Sequence, residues 1–109
     1  MTTQNREHKT AIELPNTPYI DIDLGLKHCN NNRNLYIKIL NNFVKRYQDI
    51  NLHEVEDKKR TIHSLKGITA TLGMTSLSES LVELENTYNP MAINYFQQEL
   101  LKVIRGIIK

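Results

Sequence analysis

From about residue 20 onward, apolar residues in this 109-residue chain return every three or four positions, and no run alternates as a strand would. The last such stretch places Ile93, Phe96, Leu100, Val103, Ile104 and Ile107 on one stripe, the spacing a helix with one buried side requires. Just ahead of it, Asn89-Pro90 pairs an N-cap side chain with proline at the first helical position, where the missing N–H costs nothing. A chain patterned in this way is confined to helices that bury their stripes against one another.

Three earlier segments carry the same signature. Asn31 and Asn32 can cap a helix over about residues 33–48, with Tyr36, Ile39, Leu40, Phe43 and Tyr47 on its apolar side. Asn51-Leu52-His53-Glu54 has capping-box spacing, with Ile50 and Val55 placed as a hydrophobic staple, and predicts the start of the longest helix there. That helix carries Val55, Ile62, Leu65, Thr69 and Leu72 inward and ends about six turns on at Gly73, a residue that enters the left-handed conformation freely. Lys58 falls on its inward side and is expected to snorkel. Ser76-Leu77-Ser78-Glu79 repeats the box for a helix with Leu77, Leu81, Leu84 and Tyr88 on one stripe. A short helix over about residues 24–29, opened by Asp21 or Asp23 and weakened by Gly25, precedes them all.

Four long amphipathic helices with short connections predict an all-α fold, an antiparallel up-and-down four-helix bundle with a short additional N-terminal helix. Residues 1–19 are polar and contain Pro15 and Pro18, so they read as a linker or a flexible arm lying against the domain formed by residues 20–109. At this length the expectation is one domain with one modest core, without room for the second lobe of a complete kinase. With 39% apolar and 24% charged residues the chain has an ordinary globular composition. Its net charge of +2 is too small to imply nucleic-acid binding, and Lys58-Lys59-Arg60 is the one basic run. No run approaches the roughly 20 apolar residues that span a bilayer, and no signal-peptide pattern opens the sequence. The single cysteine, Cys29, cannot form an internal disulfide. These features together predict a cytoplasmic protein.

The chemistry concentrates at Thr61-Ile62-His63-Ser64-Leu65-Lys66-Gly67. At about 100° per residue, His63 points roughly 140° away from the centre of its helix's apolar side. Its neighbours at three- and four-residue steps are Lys59, Arg60, Lys66 and Gly67, so an exposed imidazole stands among cations and beside a residue with no side chain. A neutral imidazole nitrogen is nucleophilic near pH 7, and positive charge with open access suits a phosphoryl group. Mid-helix glycine costs about 0.5–1 kcal/mol relative to alanine, and access gives that cost a reason. Ala70, a turn further along, is also small. His8, His28 and His53 lack metal-ligand spacing with His63, and Cys29 beside His28 is too sparse for zinc. Neither a Gly-rich phosphate loop nor a nucleophile elbow is present. The sequence places no carboxylate immediately beside His63, which argues against hydrolase or autokinase chemistry.

His63-Ser64-Leu65-Lys66-Gly67, followed by Leu72-Gly73 and then Leu77, Leu81 and Leu84-Glu85, resembles the histidine-containing phosphotransfer (HPt) domain of bacterial multistep phosphorelays, whose signature is His-x-x-Lys-Gly within an apolar helical frame. The likeness runs from about Ile20 to the C-terminus. It implies that His63 accepts phosphoryl, through Nε2, from an aspartyl phosphate on a response-regulator receiver domain and passes it to another receiver aspartate. Lys66 would balance the phosphoryl charge, Gly67 would admit the partner, and Lys59, Arg60 and Ala70 would form the docking face. The domain itself would bind no cofactor and no metal; Mg2+ would sit on the receiver. The resemblance further implies a monomer without ATP-binding machinery; the linker-like start suggests the C-terminal module of a hybrid sensor histidine kinase, with a freestanding HPt protein as the close variant. Ile68 departs from the small residue common in the family at that position and makes the face more apolar. The alternative is a helical interaction domain that binds a partner without transfer. A dimerising phosphoacceptor region of a kinase would carry an acid directly after the histidine, where Ser64 stands.

Overall fold

Five helices form in the computed structural model, which describes residues 13–108: α1 (Ile22–His28), α2 (Arg33–Tyr47), α3 (Lys58–Leu72), α4 (Thr75–Thr87) and α5 (Pro90–Ile108). Residues 1–12, most of the expected N-terminal arm, lie outside the described residues. Among the described residues there is no strand, and the all-helical architecture is consistent with a helical bundle. α3 packs against α1, α2 and α4, and α4 also packs against α5.

Where capping signals are purely local, the chain follows them. Asn32 Oδ1 accepts from the Leu35 amide at 3.0 Å and opens α2. Asn89 Oδ1 accepts from the Met91 amide at 2.8 Å and opens α5 at Pro90. Asp21 Oδ1 caps α1 through the Leu24 amide, so that helix begins two residues before the expected Leu24. All six residues of the α5 stripe are buried, as are Leu77, Leu81 and Leu84 on α4. On α2 the buried side is wider than the stripe, because Ile37 and Val44 join Tyr36, Leu40, Phe43 and Tyr47, and Ile39 is only partly covered.

The start of α3 differs from the capping-box expectation. Asn51 Oδ1 accepts from the His53 amide at 3.0 Å, and the Glu54 amide turns back to the Asn51 carbonyl, so the segment closes a turn. Gln97 of α5 keeps that turn out of the helix: its Oε1 accepts from the Leu52 amide at 2.8 Å and its Nε2 donates to the Ile50 carbonyl at 3.1 Å. Leu52 is fully buried as a result. Asp57 then supplies the cap, through the Arg60 amide at 3.1 Å, and α3 is 15 residues long, about four turns and not six. Lys58 Nζ donates to the His53 carbonyl at 3.2 Å and closes the same turn. The second expected box also fails, since α4 starts at Thr75 with Met74 as a cap that makes no side-chain bond. Tyr88 leaves the α4 stripe: it is an exposed left-handed C-cap at φ 51°.

Two glycines let the N-terminal part close on α3. Gly73 ends α3 at φ 85°, where its amide bonds Ala70 O and its own carbonyl accepts from the Asp21 amide at 2.8 Å. A Cβ there would collide with the Asp21 carbonyl, and one on buried Gly25 would collide with the Tyr36 ring and the Leu72 carbonyl. Tyr36 Oη donates to that same Leu72 carbonyl at 2.7 Å, satisfying an acceptor that the helix end leaves over. Burial, with smaller contributions from Cys29 and Asp21, pushes the Tyr36 phenol upward and keeps it a donor. Together these contacts fix the roll of α3, and the roll decides which residues it turns outward.

Candidate functional site

α3 buries Ile62, Leu65, Thr69 and Leu72, and the opposite crest of the helix is left to solvent. His63 stands there with 76% of its side chain exposed. Lys59, Arg60, Gly67 and Ala70 are exposed beside it, as the 3.6-residue period predicts. A Cβ built on Gly67 would meet nothing within 4 Å, so the position is an open notch in the surface. Arg60 lies 3.7 Å from Asp57 at the start of the helix, and with both side chains well exposed that pair is weak. Lys59 has no ion-pair partner among the described residues.

The neighbour that the sequence did not place beside His63 comes from α4. Because only Gly73 and Met74 separate the two helices, α4 packs along α3 and sets Glu85 against the site. Glu85 Oε2 is 3.6 Å from His63 Nδ1, and its Oε1 accepts from Lys66 Nζ at 2.7 Å. The expectation of no adjacent carboxylate is thereby corrected. At 3.6 Å the contact with the imidazole is electrostatic, whereas the lysine contact is a formed charge-assisted hydrogen bond. The Lys66 ammonium, and more weakly His63, hold the Glu85 carboxyl below its usual range, so it is an anion at neutral pH.

This geometry distinguishes the two ring nitrogens. A carboxylate beside Nδ1 favours a proton on that atom, which leaves the lone pair on Nε2. Nε2 has no hydrogen-bond partner among the described residues. An outward nucleophilic nitrogen with its opposite edge braced by an anion can attack an electrophile brought to it.

On the other flank of the crest, α2 and α3 enclose a concavity of 240 Å³, lined chiefly by Ile39, Phe43, Tyr47 and Ile68 with Asn42, Arg46 and Ser64 at its edge. Sequence reasoning found Ile68 but missed the groove, which exists only where two helices meet. Two other histidines, His28 and His53, bond to neighbouring elements of the fold. His28 Nδ1 donates to the Thr71 carbonyl at 3.0 Å, and His53 Nε2 donates to Asn94 Oδ1 at 2.8 Å. Cys29 is buried and His8 lies outside the described residues. No group of three or more histidine, cysteine, aspartate or glutamate side chains is placed to hold a metal ion among the described residues, and none of their helices is long and apolar enough to cross a membrane. Comparison with known protein families, with curated proteins and with solved structures finds no match.

Proposed function

We propose that this protein is a phosphorelay intermediate of the HPt type, a four-helix, up-and-down arrangement of α2 to α5 with His63 as phosphoacceptor. The observation that carries the reading is the imidazole itself: it is exposed, it turns Nδ1 to a carboxylate and Nε2 to solvent, and it adjoins a notch with no side chain. In the forward step the Nε2 lone pair attacks the phosphorus of a receiver's aspartyl phosphate. The N–P bond forms, the acyl-phosphate O–P bond breaks, and the receiver's aspartate departs as a carboxylate. The reverse step on a second receiver completes the relay.

Little machinery is needed on this side of the reaction. Mg2+ and the carboxylates that hold it belong to the receiver, and no cofactor is required here. Gly67 admits the partner's loop, while Lys59, Arg60 and Ala70 meet its surface. The apolar concavity between α2 and α3 lies beside this face and offers burial to an approaching helix. That concavity also supports a second reading, a helical interaction domain that binds a receiver or another protein partner without transfer. On either reading the domain is a cytoplasmic monomer that works as a module of a longer sensor kinase or alone.

Incubation with a phosphorylated receiver, followed by detection of acid-labile, base-stable label, separates the two. Transfer predicts label on the native chain and none on His63→Gln. Equal labelling of the two, or binding of the receiver without label, overturns the phosphoacceptor assignment.

A further inference from the structure

The far shoulder of α4 is surface that phosphotransfer leaves unused. Residues two apart on a helix point about 160° apart, so while Glu85 meets α3, Glu83 turns toward α5. Between α4 and α5 lie two concavities of 410 and 440 Å³ that meet at Glu83 and form one trough running from Ser76 to Thr87. At the rise of a helix that span is about 16 Å, or three turns. We propose that this trough is a docking surface for a basic amphipathic helix of a partner protein, and that it is occupied independently of the His63 crest.

Apolar exposure, charge and shape point to the same occupant. On the α5 bank Tyr95 is 59% exposed, and Met91, one turn earlier on the same side, is 79% exposed. An aromatic ring and a thioether left in water offer a partner area to bury. Glu79, Glu83 and Glu99 line the trough, and no lysine, arginine or histidine does. Glu99 meets Lys102 Nζ at 3.2 Å, whereas Glu79 and Glu83 have no ion-pair partner among the described residues. Unpaired carboxylates repel a nucleic acid or an anionic bilayer and attract lysine and arginine. They are not gathered as a metal site, since no three such groups converge among the described residues. Glu79 and Glu83 stand four residues apart, one turn along α4, so cations at four-residue spacing on a helix match them. Ser76, Ser80 and Ala92 keep the banks low, which lets a rod settle between the two helices. Because α4 stands between this trough and His63, a partner here leaves the imidazole uncovered.

The test uses the full chain and a model helical peptide of about four turns, with lysines at four-residue spacing on one side and leucines on the other, together with a twin in which glutamate replaces every lysine. In nitrogen-15 NMR the lysine peptide is expected to shift amides of α4 and α5 around Glu83 and Tyr95. Combined Glu79→Lys and Glu83→Lys is expected to weaken binding about tenfold or more and to let the glutamate twin bind instead. Combined Glu79→Gln and Glu83→Gln, expected to weaken it about threefold or more, covers the case in which the lysines disturb the fold seen by circular dichroism. Tyr95→Ala is expected to weaken binding about three- to tenfold. Shifts that are absent or centred on α2 and α3, or an affinity unmoved by the charge substitutions, overturn the proposal. A mass in light scattering that rises with concentration in the native chain and not in the lysine variant gives the trough to a second copy and overturns the partner assignment. With the peptide bound, phosphoramidate, from whose phosphorus the His63 ring displaces ammonia, is expected to label at the native rate; slowed labelling puts the peptide on the crest and overturns the independence of the two faces. A native chain that takes no label at all refutes phosphotransfer instead, and the peptide results then decide the trough by themselves.

Discussion

Replacing Gly67 separates what the position costs the fold from what it gives the site. Glycine inside a helix costs about 0.5–1 kcal/mol relative to alanine, because more backbone freedom is lost on folding. Gly67 lies well inside α3, with no contact within 4 Å for an added Cβ. No steric term therefore opposes the gain, and Gly67→Ala should stabilise the protein by about 0.5–1 kcal/mol. For a domain of this size that is a rise in melting temperature of about 2–8 °C. Arginine has nearly the helix propensity of alanine, so Gly67→Arg should melt at or above the native temperature as well. Its side chain, however, stands one turn from His63 in the space a receiver would occupy. Transfer from a phosphorylated receiver should fall about tenfold or more with Arg and change little with Ala. Labelling by phosphoramidate, which needs no docked protein, should stay near native in both. Thermal melts followed by circular dichroism supply the first half of the test and label transfer the second. If Gly67→Ala melts below the native protein, the notch is not open; if Gly67→Arg receives phosphoryl from a receiver at the native rate, access is not why glycine stands there.

Two further outcomes follow from named contacts. The Glu85 carboxyl is held below its ordinary value, chiefly by Lys66. Its contribution to stability is therefore fully present above the ordinary carboxylate range, about pH 4.3 for glutamate, and is lost as pH falls through the lowered folded value. The melting-temperature difference between native and Glu85→Gln should close on acidification below about pH 4; a difference that widens in acid would reverse the sign and refute the bridge. Tyr36→Phe keeps the ring in the core but removes the donor to the Leu72 carbonyl. An unmet buried acceptor should cost about 1–3 kcal/mol, measured by urea unfolding, and an unchanged midpoint would show that another group takes over that carbonyl.

How much of this was legible in the sequence depends on where each determinant lies. The α5 stripe and its Asn89-Pro90 start were readable because cap, proline and periodicity all act within one turn of the residues they govern. The exposure of His63 was readable for the same reason: Ile62, Leu65, Thr69 and Leu72 fix the inward direction, and geometry does the rest. Asn51 and Glu54 also carried a valid local signal, yet Gln97, 45 residues on from Leu52, captures the backbone that the helix would have used, and burial of Leu52 favours the turn. Tyr88 was a misreading of information already present. A helix beginning at Pro90 needs Asn89 extended before it, so α4 had to stop short of Tyr88. Glu85 is the instructive case, since 22 residues separate it from His63 and no window of a few turns contains both. The signal was the pairing of shoulders: Lys66 flanks the stripe of α3, Glu85 flanks that of α4, and the two-residue connection at Gly73 and Met74 obliges these helices to lie side by side. Opposite charges on facing shoulders of such neighbours find each other, and the one that also reaches the exposed crest becomes part of its chemistry. A local motif therefore singled out the exposed histidine here, while the carboxylate beside it could be found only by asking which side of the next helix comes to rest against it.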